Sequence, residues 1–164
     1  MKILKALLRL AACEILCLFI DITFAASGST LIKLICLVCT VMIMIFVLAD
    51  FSVKEAKADM KASRMNGSTI NKAAIFAAGG AVIVPPLISW ILLCVSAKGS
   101  SFDYYPLHKL LNAPFLQFYN IINSSIHASE LTNADLTVML VPIVFPSLAV
   151  IIPYLVTCGK ETEK

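Results

Sequence analysis

Four long apolar stretches dominate this chain and restrict it to a membrane fold. They cover approximately residues 3–26, 31–49, 73–97 and 136–157 of the 164. Each is close to the ~20 residues that a helix rising ~1.5 Å per residue needs to cross a ~30 Å hydrocarbon core. The sequence therefore predicts an all-α integral membrane bundle of four transmembrane helices, with residues 1–164 forming a single polytopic domain.

The composition supports a bilayer, rather than water, as the solvent of this chain. Hydrophobic residues make up 60% of it and charged residues 14%, whereas soluble domains carry ~25% charged residues. Helices in lipid are held together by close packing and hydrogen bonds, with little hydrophobic drive between them. A soluble fold is therefore excluded, and the lipid bilayer is the first partner that the sequence predicts.

The distribution of basic residues predicts the orientation. One side of the predicted bundle carries ten of them, namely Lys2, Lys5, Arg9, Lys54, Lys57, Lys61, Arg64, Lys72, Lys160 and Lys164. The other side carries Lys33, Lys98 and Lys109. Because basic residues in short loops are retained in the cytoplasm, we expect a multi-pass plasma-membrane protein with cytoplasmic N- and C-termini.

Two motifs in the first stretch resemble processing sites. Residues 10–13 (LAAC) resemble a lipoprotein lipobox, and residues 24–27 (FAAS) resemble a weak signal-peptidase site. The charged residues Arg9, Glu14 and Asp21 interrupt the apolar run, and a secretory signal core seldom tolerates them. We therefore expect this stretch to be retained as a transmembrane helix.

The first two connections differ in length, the outer one being short and the cytoplasmic one long. The short link at 27–30 forces the first two stretches into an antiparallel helical hairpin. After Asp50 the second helix is expected to continue, with an i,i+4 pair to Lys54, until Asn66-Gly67 stops it and Ser68 or Thr69 caps the next helix. Its positive charges are mixed with acidic residues and follow the positive-inside bias, so we expect no nucleic-acid partner.

Small residues and prolines mark the third and fourth stretches as sites of close packing and kinks. Small side chains let another helix approach closely, and a proline within a helix removes a backbone donor. The predicted packing and kink positions are Ala73, Ala77, Gly79, Gly80, Ala81, Pro85, Pro86, Pro142, Pro146 and Pro153.

The outer connection at 98–135 is predicted to contain one amphipathic interfacial helix near 107–126. Its apolar residues recur at helical spacing, while His108, Asn112 and Gln117 fall on the other face. Such a helix lies on the outer membrane surface or caps the bundle. Pro106 suits its first turn, and Pro114 should bend or split it.

Glu14, Asp21 and Lys33 are the candidate intramembrane polar or ion site. An ionisable group at the bilayer centre costs ~2.5 to 3.5 kcal/mol on insertion scales and marks function by default. The spacing of seven between the two acids puts them on one helix face, which is expected to point at protein. Asp21 and Lys33 lie at similar depth and are candidates for an ion pair, whereas Arg9 is the one obvious partner for Glu14. Either a proton relay or a structural polar clamp fits this pattern.

The sequence offers no catalytic, cofactor or metal signature. Cys13 and Cys17 share a helix face, as do Cys36 and Cys39, but four thiolates in lipid are costly and cysteine behaves otherwise as a small hydrophobe. Both histidines fall in the outer connection, without a matching nucleophile motif. We therefore expect no enzyme, no cofactor and no metal site.

These observations favour a non-enzymatic subunit or accessory factor of a larger membrane complex. A chain with little soluble mass has faces for a membrane-protein partner, or for self-association, but no chemical machinery. The alternative is a small oligomeric transporter or channel, since transporter sites form where Gly/Pro-interrupted helices unwind near the midplane. In that case Glu14 would bind the coupled ion.

Overall fold

The computed structural model describes residues 1–24, 29–67, 69–99 and 102–162, and every regular element in these ranges is helical. The three long helices at the start of the chain are α1 (Lys2–Phe24), α2 (Thr30–Asn66) and α3 (Ala73–Ala97). They are followed by α4 (Tyr105–Leu111), α5 (Leu116–Ile122), α6 (Asn133–Val138) and α7 (Phe145–Thr162). Short 3-10 turns lie at Ala113–Phe115, Ala128–Glu130 and Val141–Val144.

Three helical stretches are long and apolar enough to cross a membrane, namely Thr30–Asn66, Ala73–Ala97 and Asn133–Gly159. This confirms the all-helical fold and the predicted stretches at 31–49, 73–97 and 136–157. The last stretch combines α6, the turn at Val141–Val144 and α7. The first helix is not in this group, since its apolar run is interrupted by Arg9, Glu14 and Asp21. Residues 25–28, which contain the end of the predicted first span and half of the predicted hairpin link at 27–30, lie outside the described residues.

The helices pack as a four-membered ring. α1 packs against α2 and α3, and α7 packs against the same two helices from the other side. Each contributes the side chains of one face, as expected for a period of 3.6 residues. These four helices share a core of buried apolar side chains, among them Leu10, Met44, Leu48, Ile75, Ala78, Val82 and Val150.

α2 is much longer than a bilayer requires. Its 37 residues correspond to about 55 Å at ~1.5 Å per residue, so it continues past Asp50 as predicted. Gly67 ends it in the left-handed conformation (φ 62°) and donates its backbone N–H to the Ser63 carbonyl oxygen. The predicted stop at Asn66-Gly67 is therefore confirmed, whereas the predicted cap Ser68 lies outside the described residues.

The end of the bundle that carries the N-terminus and α2's extension, here called the terminal end, is held by charged side chains. Lys5 Nζ lies 2.8 Å from Glu55 Oε1, and Lys2 pairs with Asp59. The Tyr154 hydroxyl donates to Asp59 at 2.6 Å, which connects α7 to the same group. The extension of α2 therefore packs on both terminal helices.

At the opposite end, called the loop end, the connection from α3 to α6 departs from the predicted single amphipathic helix. Pro114 splits it into α4 and α5, as expected. The faces of α4 are oriented opposite to the prediction, because its polar residues His108 and Asn112 are buried while Leu107, Leu110 and Leu111 are exposed. Gln117 of α5 is also buried. The polar face lies against the bundle, where it finds hydrogen-bond partners, and the leucines point outward.

Residues 105–122, called the re-entrant segment, enter the bundle instead of lying on its surface. The Thr40 hydroxyl donates to the Pro114 carbonyl oxygen at 2.9 Å. Thr40 lies about 15 Å along α2 from Thr30 at ~1.5 Å per residue, which is half of a ~30 Å hydrocarbon core. The turn at Ala113–Phe115 therefore reaches a depth close to the middle of the predicted spans.

Candidate functional site

The inward face of α1 carries the first part of the candidate site. Its buried residues are Ala6, Leu10, Cys13, Cys17 and Asp21, spaced three or four apart. Asp21 is 3% exposed, so its carboxylate faces protein, as predicted for this face. Glu14 lies at the edge of the same face and is only partly buried.

Asp21 is bound by the re-entrant segment and not by Lys33. Gln117 Nε2 donates to Asp21 Oδ1 at 2.8 Å, and Asn120 Nδ2 in turn donates to Gln117 Oε1 at 3.4 Å. Among the described residues there is no ion pair between Asp21 and Lys33, although both line one cleft. The predicted ion pair is therefore not formed in the described residues, and an amide donor from α5 contacts the carboxylate instead.

A second buried polar group joins α3 to α4. His108 Nδ1 lies 2.9 Å from Ser89 Oγ, and Asn112 Nδ2 donates to the His108 carbonyl oxygen at 2.9 Å and to Ser89 Oγ at 3.3 Å. The Tyr119 ring lies beside the imidazole, with centroids 4.9 Å apart. The prediction of an interfacial His108 is wrong, since its side chain is completely buried.

This serine–histidine contact was not foreseen from the sequence. Ser89 and His108 are separated by the end of α3 and residues 98–104, and no motif joins them. Ser89 is 3% exposed and His108 is fully enclosed, so neither is accessible to a substrate from outside. The arrangement therefore joins α4 to α3 through the hydrogen bonds among His108 Nδ1, Ser89 Oγ and Asn112 Nδ2.

Three buried polar atoms of this region have no hydrogen-bond partner within the described part of the chain. They are Asp21 Oδ2, His108 Nε2 and the Tyr119 hydroxyl oxygen. A buried polar group without a partner costs ~1 to 3 kcal/mol, and such groups are few in native structures. They concentrate in the loop-end half of the bundle, which makes that half the candidate functional region.

Asp21 borders a cleft of about 280 Å³ at the loop end. Its polar lining includes Asp21, Lys33, Gln117 and Asn120, and its apolar lining includes Ile22 and Leu110. α1, α2, α4 and α5 all contribute to it. The cleft thus brings together two of the three predicted polar-site residues, Asp21 and Lys33, and leaves Glu14 outside.

Glu14 lacks the partner that the sequence suggested. Arg9 Nη1 lies 3.7 Å from Asp50 Oδ2, and Lys54 Nζ lies 2.7 Å from the same oxygen. The second distance confirms the predicted i,i+4 pair of α2. No hydrogen bond or ion pair of Glu14 occurs among the described residues, so its carboxylate stays unpaired at the edge of α1.

The predicted packing residues divide into inward and outward sets. A Cβ added to Gly79 would lie 2.7 Å from Ile151 Cγ1, so the absence of a side chain allows α3 and α7 to approach closely. Ala73, Ala77 and Gly80 are exposed, and Ala81 is partly buried. Whether the exposed ones meet a helix of a partner stays a prediction.

The predicted kink residues lie in two different settings. α3 stays helical through Pro85 and Pro86, and α7 through Pro153. Pro142 lies in the turn at Val141–Val144, and Pro146 lies in the first turn of α7. The break in the last membrane stretch is therefore at Pro142.

The cysteines pack as small side chains. Cys13 Sγ and Cys17 Sγ are 3.8 Å apart, and the Cys17 thiol donates to the Thr40 carbonyl oxygen at 3.5 Å. Cys36 is buried and Cys39 exposed. Within the described ranges no three His, Cys, Asp or Glu side chains are grouped so that they could hold a metal ion.

The described fold is helical, has three stretches long and apolar enough to cross a membrane, and buries several polar side chains in its loop-end half. No known family model, no curated protein and no solved structure matches the chain. The function must therefore be argued from the contacts described above.

Proposed function

We propose that this protein is a non-enzymatic subunit or accessory factor of a larger plasma-membrane complex. In this proposal α1 is a fourth transmembrane helix, both termini are cytoplasmic, and a membrane-protein partner binds at Glu14. The observation that carries it is the carboxylate of Glu14, a partly buried residue at the edge of the inward face of α1 that has no partner among the described residues.

The exposed side of α1 supports its assignment as a fourth span. Its 23 residues correspond to about 35 Å of helix, enough for a ~30 Å core. Ile15, Phe19 and Ile22 are all about 70% exposed, and a row of large apolar side chains in water is unfavourable. Apart from Glu14, its charged residues are either buried against α5 or paired with α2, so that lipid can cover the rest.

The charge distribution supports cytoplasmic termini. Lys2, Lys5 and Arg9 lie at the terminal end together with the basic residues of α2's extension, whereas the loop end carries Lys33, Lys98 and Lys109. Basic residues in short loops stay in the cytoplasm. The loop end, with the re-entrant segment, would then face the outside.

Glu14 supports the presence of a partner, because neither lipid nor any described residue of this chain pairs with its carboxylate. It lies about 18 Å along α1 from Lys2 at ~1.5 Å per residue, well inside a predicted span. A charge at this depth costs ~2.5 to 3.5 kcal/mol on insertion scales. A basic or amide side chain from a neighbouring protein would offset this cost, whereas Arg9 is already bound to Asp50.

The outward small residues of α3 offer a second contact for such a partner. Ala73, Ala77 and Gly80 are exposed and lie on one face, and a Cβ added to Gly80 would meet nothing within 4 Å. Small residues at helix surfaces let a second helix approach closely in lipid. This face supports association without identifying the partner.

The alternative, a small oligomeric transporter or channel, is favoured by the broken last stretch and the polar loop-end half. The break at Pro142 and the re-entrant segment resemble the irregular backbone that lines transporter sites. Against it, the buried core of the described residues consists mostly of apolar side chains such as Leu10, Leu48 and Val82. A conducting path would therefore have to form between copies of the chain.

The deciding experiment is purification of the tagged protein in mild detergent at native expression level, with mass spectrometry of the co-purifying proteins. We expect a stoichiometric foreign subunit, and we expect Glu14→Gln to reduce its recovery about tenfold. Glu55→Gln is the matched control, since it removes the same charge at the terminal end, and it should leave recovery unchanged.

Two outcomes would contradict the proposal. If the wild type elutes as a homo-oligomer free of other proteins, the accessory function is rejected. If that oligomer also supports ion flux in liposomes, and Glu14→Gln abolishes the flux without changing the elution volume, the transporter function replaces it.

A further inference from the structure

The cleft at the loop end contains two opposite charges that do not meet. Asp21 belongs to α1 and Lys33 to α2, and both line a cavity of about 280 Å³. Although they share this cavity, no ion pair between them occurs in the described part of the chain. An acid and a base held apart in one cleft provide complementary contacts for a ligand that carries both charges.

Asp21 is prepared to accept a hydrogen bond from such a ligand. Only 3% of the Asp21 residue is exposed. Gln117 Nε2 fixes one carboxylate oxygen at 2.8 Å, and the other, Oδ2, has no partner within the described part of the chain. A buried, oriented carboxylate with one free oxygen is a good acceptor for an ammonium N–H, because charge-assisted hydrogen bonds are the strong ones.

The depth of both groups suits a lipid headgroup. Asp21 lies three residues before the end of α1 and Lys33 three residues after the start of α2, which is about 5 Å from the helix ends at ~1.5 Å per residue. The rim of the cleft is apolar and open to the side, since Ile22, Phe24 and Leu110 are exposed. A ligand with a zwitterionic head and apolar chains matches both the charges and this rim.

We propose that the cleft between α1, α2 and α5 binds the headgroup of an ethanolamine phospholipid, with its ammonium at Asp21 Oδ2 and its phosphate at Lys33. The headgroup carries the same pair of charges as a free amino acid, but the exposed apolar rim favours the lipid. This site is separate from Glu14, so the inference does not rest on the proposed partner.

The test uses the full-length protein in nanodiscs of equal parts dioleoyl phosphatidylethanolamine and dioleoyl phosphatidylcholine. After gentle extraction, native mass spectrometry gives the ratio of the two lipids bound per protein. The choline headgroup keeps both charges but has no N–H to donate to Asp21. We expect the wild type to retain phosphatidylethanolamine about tenfold over phosphatidylcholine.

Two variants and one control connect this preference to the cleft. Asp21→Asn keeps an acceptor for Gln117 but loses the charge, and Lys33→Met keeps the apolar stem. Asp21→Asn is expected to bring the lipid ratio close to one. Lys33→Met removes the contact with the phosphate that both lipids share, so it should lower the amount of both lipids retained per protein, whereas Lys98→Met, which removes another lysine of the loop end, should change neither quantity. If Asp21→Asn fails to fold, the lipid retention of Lys33→Met decides, because the Lys33 side chain makes no ion pair or hydrogen bond in the described residues.

A ratio near one in the wild type, a preference that survives Asp21→Asn, or lipid retention that Lys33→Met leaves unchanged overturns the proposal. Soluble O-phosphoethanolamine and glycine are titrated against the detergent-purified protein in parallel. If either binds through Asp21 and Lys33 while no lipid preference is found, the cleft is a site for a free zwitterion and the lipid assignment is wrong.

Discussion

The two ends of the bundle use polar residues in opposite ways. At the terminal end they are charged, lie near the surface and are paired, as in Lys5 with Glu55 and Arg9 with Asp50. At the loop end they are mostly uncharged, lie inside, and belong to a segment that enters the bundle, as in His108 and Gln117. Three buried polar atoms at the loop end lack partners within the described residues. At the terminal end, by contrast, the charged side chains form ion pairs that connect neighbouring helices.

This difference indicates where stability and binding are located. Exposed ion pairs contribute little, ~0 to 1 kcal/mol each, so the terminal end can lose the exposed side chain of Lys5 or Arg9 at little cost. Removing the partner of a buried polar group lowers the free energy of unfolding more strongly, because the remaining group stays desolvated. We therefore expect the loop end to be sensitive to substitution and to carry the ligand contacts.

The largest effect is expected for His108→Ala. This change leaves a cavity and removes the Nδ1 atom that contacts Ser89 Oγ at 2.9 Å and Asn112 Nδ2 at 3.4 Å, and we expect it to lower the free energy of unfolding by about 3 to 4 kcal/mol. Denaturation in mild detergent, followed through the fluorescence of Trp90, measures it. Trp90 is the single tryptophan and its indole N–H donates to the Leu136 carbonyl oxygen at 2.9 Å.

His127→Ala is the matched control for that experiment. His127 also lies in the connection, but its side chain is 65% exposed, and we expect a change within about 0.5 kcal/mol. Equal effects of the two histidine substitutions would mean that the loop end is no more sensitive than a surface.

A smaller effect is expected for Gln117→Leu. Removing the amide leaves Asp21 buried without its 2.8 Å hydrogen bond, which we expect to cost about 2 kcal/mol. Replacing both residues, in Asp21→Leu with Gln117→Leu, removes the unpaired acid as well, and buried pairs are often replaceable by apolar residues. A double-mutant cycle measures the coupling, and additive effects would contradict the pairing.

Much of the helix layout was accessible from the sequence, because it depends on local signals. α3 was predicted at the bounds that the structure gives, and the stop at Gly67 and the split at Pro114 follow from the backbone preferences of glycine and proline. The location of the re-entrant segment was not accessible. A polar face on a helix looks the same whether it meets water or a buried carboxylate, and Gln117 lies 96 residues from Asp21.

The same limit applied to the candidate site. The spacing of Glu14 and Asp21 predicted a shared face, but the choice between Lys33 and Gln117 as partner of Asp21 depends on tertiary packing. Ser89 and His108 are individually unremarkable in sequence and meet because α4 folds back on α3.

At the terminal end we expect Lys5→Ala to lower the free energy of unfolding by about 0.5 kcal/mol. The Lys5 side chain is 54% exposed, so its attraction to Glu55 is screened by salt. The difference from wild type, measured by the same denaturation assay, should therefore shrink between 50 mM and 1 M NaCl. A loss as large as that of Gln117→Leu would remove the contrast between the two ends.

The smallest effect concerns Asp103, which lies before α4 at the surface of the loop end. Partial desolvation acts to raise the pKa of Asp103, but hydrogen bonds from the Ala128 N–H, His127 Nδ1 and the Tyr105 N–H outweigh it and hold the pKa below the ordinary 3.8. Because the folded state favours the carboxylate, its stabilisation is present above pH 3.8 and is lost as the pH falls through the folded-state pKa.

Asp103→Asn should accordingly lower the thermal unfolding temperature at pH 6, by less than Lys5→Ala does, and have no effect at a pH well below 3. Thermal unfolding of both proteins in an acid-stable detergent across this range measures the difference. A difference that persists unchanged at low pH would show that the asparagine perturbs the connection sterically. In that case the exposed part of the loop end would also depend on close packing, and the contrast with the terminal end would extend to its surface.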